Sequence, residues 1–191
     1  MSKPAFVGRF LVLFALLIVL GWATDAPARY AAMLRTATGA VSPLLNGWWI
    51  ETRVDKVGKT ETWFHRGDEE LKLLLSLEAL ALGLLPLFAL LGATPGLGWK
   101  RLAFAAAAGG GSLFALDALI LLLYPALVSG TAATELAGFF LGILTFVGGP
   151  IILWFVLTFD ALRGVWRVPG HAPPVREESG RKTPPRSNRA R

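Results

Sequence analysis

From Leu102 to Val128 the chain runs for 27 residues with one charged side chain, Asp117. As a helix this stretch would be about 40 Å long, more than the roughly 30 Å of a bilayer's hydrocarbon core. Three further stretches share its character: Phe6 to Ala23, Leu71 to Leu91, and Leu136 to Phe159. The first contains Arg9, the second contains Lys72 and Glu78, and the last has no charge. All four are rich in Leu, Ala, Phe and Ile without period-two alternation, which points to helices and not to barrel strands. Composition agrees: 54% of residues are hydrophobic and 17% charged, where soluble domains carry about 25% charged residues. The expected fold is therefore an all-α membrane protein with four transmembrane helices, one integral domain over residues 1–168.

The first stretch competes with a cleaved signal peptide. Lys3 and Arg9 form a basic n-region, and Ala26-Pro27-Ala28 loosely imitates a cleavage site. The proline in that site and the 18-residue apolar run favour a retained anchor.

Orientation follows from Lys and Arg near the span ends. Lys3 and Arg9 flank the first span, Lys100 and Arg101 separate the second from the third, and eight basic residues follow the fourth. Ser129 to Thr134 carries none. Both termini and the Lys100 connection thus belong on the cytoplasmic side of a bacterial inner membrane. Residues 24–70 belong outside, where six basic and seven acidic side chains sum to −1, although the whole chain is +6. Residues 169–191 are rich in Pro, Arg and Ser, which predicts a disordered basic cytoplasmic tail against anionic lipid. The tail offers no aromatic side chain after Trp166 to stack on a base, so nucleic acid is not an expected partner. The bilayer is.

Within the outside segment, Tyr30, Met33, Leu34, Ala37, Val41, Leu44 and Leu45 recur at spacings of three and four. That spacing predicts an amphipathic helix on the membrane surface, shortened or kinked at Pro43. Then the period changes. Trp49 to Val54 and Thr60 to Phe64 are β-branched and aromatic, which predicts a small hairpin with Gly58 at a turn position of positive φ. Trp48, Trp49, Trp63 and Phe64 suit a headgroup belt. With His65 and Glu135, the three Trp residues are the candidate outer-face contacts.

Glu78 and Asp117 form the candidate intramembrane polar site. A carboxylate at bilayer depth costs about 2.5–3.5 kcal/mol on insertion scales unless protonated or paired. Counted from Leu71, Glu78 is about two turns into its span, and Asp117 is deepest. Each either relays a proton or cation, or bonds to helix backbone or to Ser76, Ser112 or Thr145 and holds the bundle. There is no Cys, and His65 and His171 are far apart, so neither a thiolate nor a His-rich metal centre is expected. Phosphate-loop, zincin and nucleophile-elbow motifs are absent. No cofactor is expected.

The order of parts resembles an exosortase: an apolar anchor, an outer amphipathic helix, a hairpin, then apolar spans. The corresponding stretches are His65 to Leu71, Leu116 to Leu119, and Thr134 to Gly138. In exosortases these regions hold, in turn, a nucleophilic Cys, an Arg and a His. Each is missing from its stretch here. The chain is similar to the small membrane proteins associated with exosortase H, which implies a non-enzymatic accessory of a protein-sorting system, with the sorting enzyme as partner. An ion- or proton-coupled transporter using Asp117 and Glu78 is the alternative. A lipid-acting membrane enzyme using outer carboxylates ranks third.

Overall fold

The computed structural model describes residues 3–56, 60–73, 76–128, 136, 138, 140 and 142–165. Four helical columns stand antiparallel. The first is α1 (Lys3–Ala23). A turn at Asp25 leads to α2 (Ala26–Gly39) and the short α3 (Ser42–Asn46), each with proline in its first turn, where the missing N–H costs nothing. Three strands follow: β1 (Trp49–Val54), β2 (Thr60–Arg66) and β3 (Glu69–Lys72). They form an antiparallel meander with β2 in the middle. The β2–β3 turn is tight, and Gly67 takes φ +61 there, a conformation that glycine adopts without a Cβ penalty.

The second column is α4 (Leu77–Leu80), a 3-10 turn (Ala81–Gly83) and α5 (Leu84–Ala93). The tightening has a cause. Pro86 cannot donate to the carbonyl of Leu82, so the helix rearranges one turn earlier. The third column is α6 (Trp99–Val128). The fourth is a π-turn (Leu144–Gly148) running into α7 (Gly149–Val165). The π-turn sits against Gly148-Gly149-Pro150, because Pro150 lacks the donor that a regular helix needs.

Among the described residues, three helices are long and apolar enough to cross a membrane: Pro4–Ala23, Trp99–Val128 and Leu144–Leu162. The expected second span, 71–91, is corrected. Leu71 and Lys72 belong to β3, and the apolar helix runs Leu77–Ala93, which is 17 residues. The expected hairpin gains this third strand, because the Leu-rich run after Glu70 begins by pairing with β2. Gly58 and Glu135 lie outside the described residues, as do the turn after Val128 and the basic tail.

Two apolar cores stack along the bundle. One joins α5, α6 and α7 through Leu87, Leu91, Ala105 and Leu113. The other joins the bundle to α2 and the sheet through Ala31, Leu34, Trp48, Phe64, Leu77, Leu80 and Leu121. The expected amphipathic helix forms, but with a different apolar stripe. The buried stripe of α2 is Ala31, Leu34 and Thr38, rotated from the predicted one, and it packs on protein. Met33 and Leu44 remain 63% and 86% exposed.

The ends of the columns are tied differently. At one end Tyr124 of α6 donates to the backbone carbonyl of Lys72 in β3, 3.1 Å away. At the other, Trp154 of α7 donates to Thr94 Oγ1 at 2.8 Å and lies 6.0 Å from the ring of Phe6. The helices α2 and α3 and the three-stranded sheet, together the cap, thus gather at one end, opposite Lys100 and Arg101.

Midway, the two irregular turns meet. A Cβ on Gly83 would stand 3.0 Å from the backbone oxygen of Thr145. That neighbour is backbone and cannot swing aside. Gly83→Leu should cost about 1–3 kcal/mol by overpacking, read as a lower melting temperature in detergent. Unchanged melting would mean that these turns are not in contact.

Candidate functional site

Asp117 lies two-thirds of the way along α6 and is 1% exposed. Tyr30 Oη, from the first turns of α2, donates to its Oδ2 at 2.5 Å. Oδ1 has no partner. The Tyr30 ring stands edge-on to Phe114, one turn before Asp117, with centroids 5.7 Å apart. Burial first, and then the bond to Asp117, hold the Tyr30 hydroxyl well above its ordinary range, so it remains a donor. Tyr124, which touches the sheet, is seven residues further along α6. Asp117 thus lies about 10 Å below the cap, within the membrane-length helix α6.

This differs from the expected partners Ser76, Ser112 and Thr145. Tyr30 belonged to the predicted apolar stripe, and its hydroxyl end was overlooked. The signal was present, since a buried Tyr needs a partner for its O–H and a buried Asp needs a donor. Chemically, the pair satisfies one carboxylate oxygen and leaves the other to hold a proton or accept a further donor.

Glu78 is corrected. The helix starts at Leu77, so Glu78 is in its first turn and half-buried. Ser76 Oγ caps that helix, accepting from Ala79 N at 3.2 Å. A carboxylate there faces the positive end of the helix dipole, which is favourable. No hydrogen bond joins Glu78 to Asp117 among the described residues. Glu78 instead lines an outer recess with Asp25 and Ser76.

The sheet has two chemically distinct faces. Ile50, Phe64 and Leu71 are paired across the strands and point to the bundle. The opposite face places Glu51 and Arg53 of β1, Glu61, Trp63 and His65 of β2, and Glu70 and Lys72 of β3 in register. Arg53 bonds to Glu70 at 3.1 Å and Glu51 at 3.3 Å, and its guanidinium lies 5.0 Å above the Trp63 ring. His65 sits between carboxylates, with Nε2 2.9 Å from Glu51 and Nδ1 3.2 Å from Glu70. Lys72 pairs with Glu61, which also accepts from Trp63 Nε1 at 3.1 Å.

Of the predicted outer contacts, Trp63 and His65 therefore share one face. Trp49 is 65% exposed nearby. Trp48 is not a surface contact: it is 4% exposed and carries Arg66 4.6 Å above its ring. Phe64, expected in a headgroup belt, is fully buried. The charged members were missed although their i, i+2 spacing marks one face of a strand. Among the described residues, no His, Asp and Glu side chains form a group able to hold a metal ion.

The charge pairs set a pH dependence. Hydrogen bonding to Lys72 lowers Glu61 below its ordinary 4.5, and hydrogen bonding to Arg53 lowers Glu70 likewise. A carboxylate depressed in the folded state stabilises it above the unfolded value and loses that contribution as pH falls through the folded value. Protection of the β1–β3 amides, measured relative to their intrinsic exchange at each pH, should thus be high at pH 6 and fall below about pH 4.5. Raising salt should mimic part of the effect, because the pairs are exposed. Protection independent of pH would show that the pairs do not hold the sheet.

Compared with known proteins, the chain matches no family model, no curated protein and no solved structure.

Proposed function

We propose that this chain is a non-enzymatic accessory of an exosortase-type protein-sorting system in a bacterial inner membrane. Its bundle crosses four times, with both termini cytoplasmic and the cap outside. The cap is the observation that carries this reading. A three-stranded sheet rests on the bundle through Phe64, which stacks on Tyr124 at 5.4 Å, and through α2, which Tyr30 ties to Asp117. Its free face is a lattice of charge and Trp63, and its short edges β1 and β3 lack neighbouring strands among the described residues. A rigid, polar, shape-specific platform suits a protein contact. The exosortase-like order of parts, with Cys, Arg and His missing from their stretches, supports an accessory over a peptidase.

The fourth crossing is Leu77–Ala93, about 25 Å long and shorter than a typical span. Local thinning accommodates such a mismatch at small cost. The placing of Lys100 and Arg101 at the end opposite the cap supports the stated sidedness.

A tagged copy should co-purify with the sorting enzyme in mild detergent, well above an unrelated four-span control. Enrichment no greater than the control's would overturn the reading. One observation favours a second function: Asp117 Oδ1 is buried without a partner among the described residues, which suits a site that takes up and releases a proton. In that case Asp117→Asn abolishes flux in proteoliposomes, and an accessory's binding survives it.

A further inference from the structure

On the cap-side half of α1, a cleft of about 620 Å³ opens where α1, α2 and α5 border one another. Phe14, Leu17 and Gly21 form one wall, and Met33, Leu85 and Phe88 face them. Its size is within the roughly 300–1,000 Å³ of small-molecule sites. Almost all of the lining is hydrocarbon, and Arg29 is its one charged member. At Gly21, Trp22, Pro27 and Leu82 the cleft adjoins the smaller recess, about 360 Å³, that Asp25, Ser76 and Glu78 line.

The charges at this mouth differ from those of the sheet. Arg53, Arg66, Lys72 and their Glu partners are all paired. Asp25, Arg29 and Glu78 form no ion pair among the described residues. Asp25 precedes α2 in the left-handed region, φ 51 and ψ 31, without its side chain capping the helix. Asp is one of the few residues besides glycine that adopts this conformation readily, and here it leaves the carboxylate uncommitted beside the recess. One turn on, Arg29 carries the opposite charge.

We propose that this cleft binds one zwitterionic aminophospholipid of the membrane. An acyl chain fills the slot between α1, α2 and α5. The phosphate is held by Arg29 through charge-assisted hydrogen bonds, and the headgroup ammonium faces Asp25 and Glu78. The lipid is chosen over a peptide by complementarity: one continuous apolar slot, one cation, then two carboxylates, in the order of acyl chain, phosphate and amine. The inference rests on membrane insertion and not on the sorting-accessory reading, so each can fail alone.

The test uses full-length protein reconstituted in nanodiscs of equal parts phosphatidylethanolamine and phosphatidylglycerol, then released into mild detergent for native mass spectrometry. Wild type should retain one phosphatidylethanolamine per chain in preference to phosphatidylglycerol. Arg29→Gln, and Met33→Trp, which fills the slot from an exposed position, should each lower retention about tenfold, the equivalent of about 1.4 kcal/mol. Asp25→Asn with Glu78→Gln should leave binding in place and abolish the preference for the amine. Circular dichroism and melting should be unchanged in these variants. No retained lipid in wild type, equal retention of both lipids, or equal retention in all variants would overturn the proposal.

Discussion

Phe64→Ala should unseat the cap, lowering stability by about 3–5 kcal/mol. Phe64 is fully buried at the centre of the middle strand. Its ring stacks on Tyr124 of α6 at 25° between planes, and its cross-strand neighbours are Ile50 and Leu71. Truncation removes apolar contact from sheet and bundle together, and a cavity remains because the helices below cannot collapse into it. A three-stranded sheet without its apolar face has little stability of its own. The expected readings are a clear drop in melting temperature in detergent and new protease cuts between residues 47 and 76, with the membrane helices still intact. A cap that resists protease as wild type does would show that Phe64 is not its anchor.

The second large effect comes from the Tyr30–Asp117 pair. Tyr30→Phe leaves the buried Asp117 with neither oxygen bonded, a loss of about 1–3 kcal/mol or more. Asp117→Leu strands only the Tyr30 hydroxyl and should cost less. The double variant removes both polar groups, and buried pairs replaced by apolar residues are often neutral or stabilising. Stability should therefore recover on going from Tyr30→Phe to the double variant, with a coupling of about 1–3 kcal/mol in the cycle. Strictly additive losses would show that the two side chains do not interact. The cycle also separates the two functional readings: an accessory tolerates the double variant, whereas a carrier that protonates Asp117 loses flux in it.

Local signals were legible wherever a segment's neighbours lie close in sequence. The apolar runs at Phe6 and Leu102 became α1 and α6 within three residues at their starts and none at their ends. The change of period after Trp48 located β1 at its observed bounds and β2 from its first residue. What failed was decided across the fold. Leu71 and Lys72 look like the start of a membrane helix, but pairing with Phe64 and Trp63 makes them a strand. Strand formation depends on such context more than on propensity. The stripe of α2 was misplaced because its register is set by α4 and α6, and Tyr30 meets Asp117 across 87 residues of sequence. Glu78 gained apparent depth only from the misplaced helix start.

The claim that most needs a direct measurement is that the cap is the face a partner meets. A photo-crosslinking amino acid replaces Trp49, 65% exposed on the cap, or Trp99, 79% exposed at the opposite end of the bundle. Each variant is expressed beside the sorting enzyme and irradiated in living cells. A covalent adduct with that enzyme is expected from position 49 and none from position 99. Adducts from position 99 alone, or from neither, would contradict it.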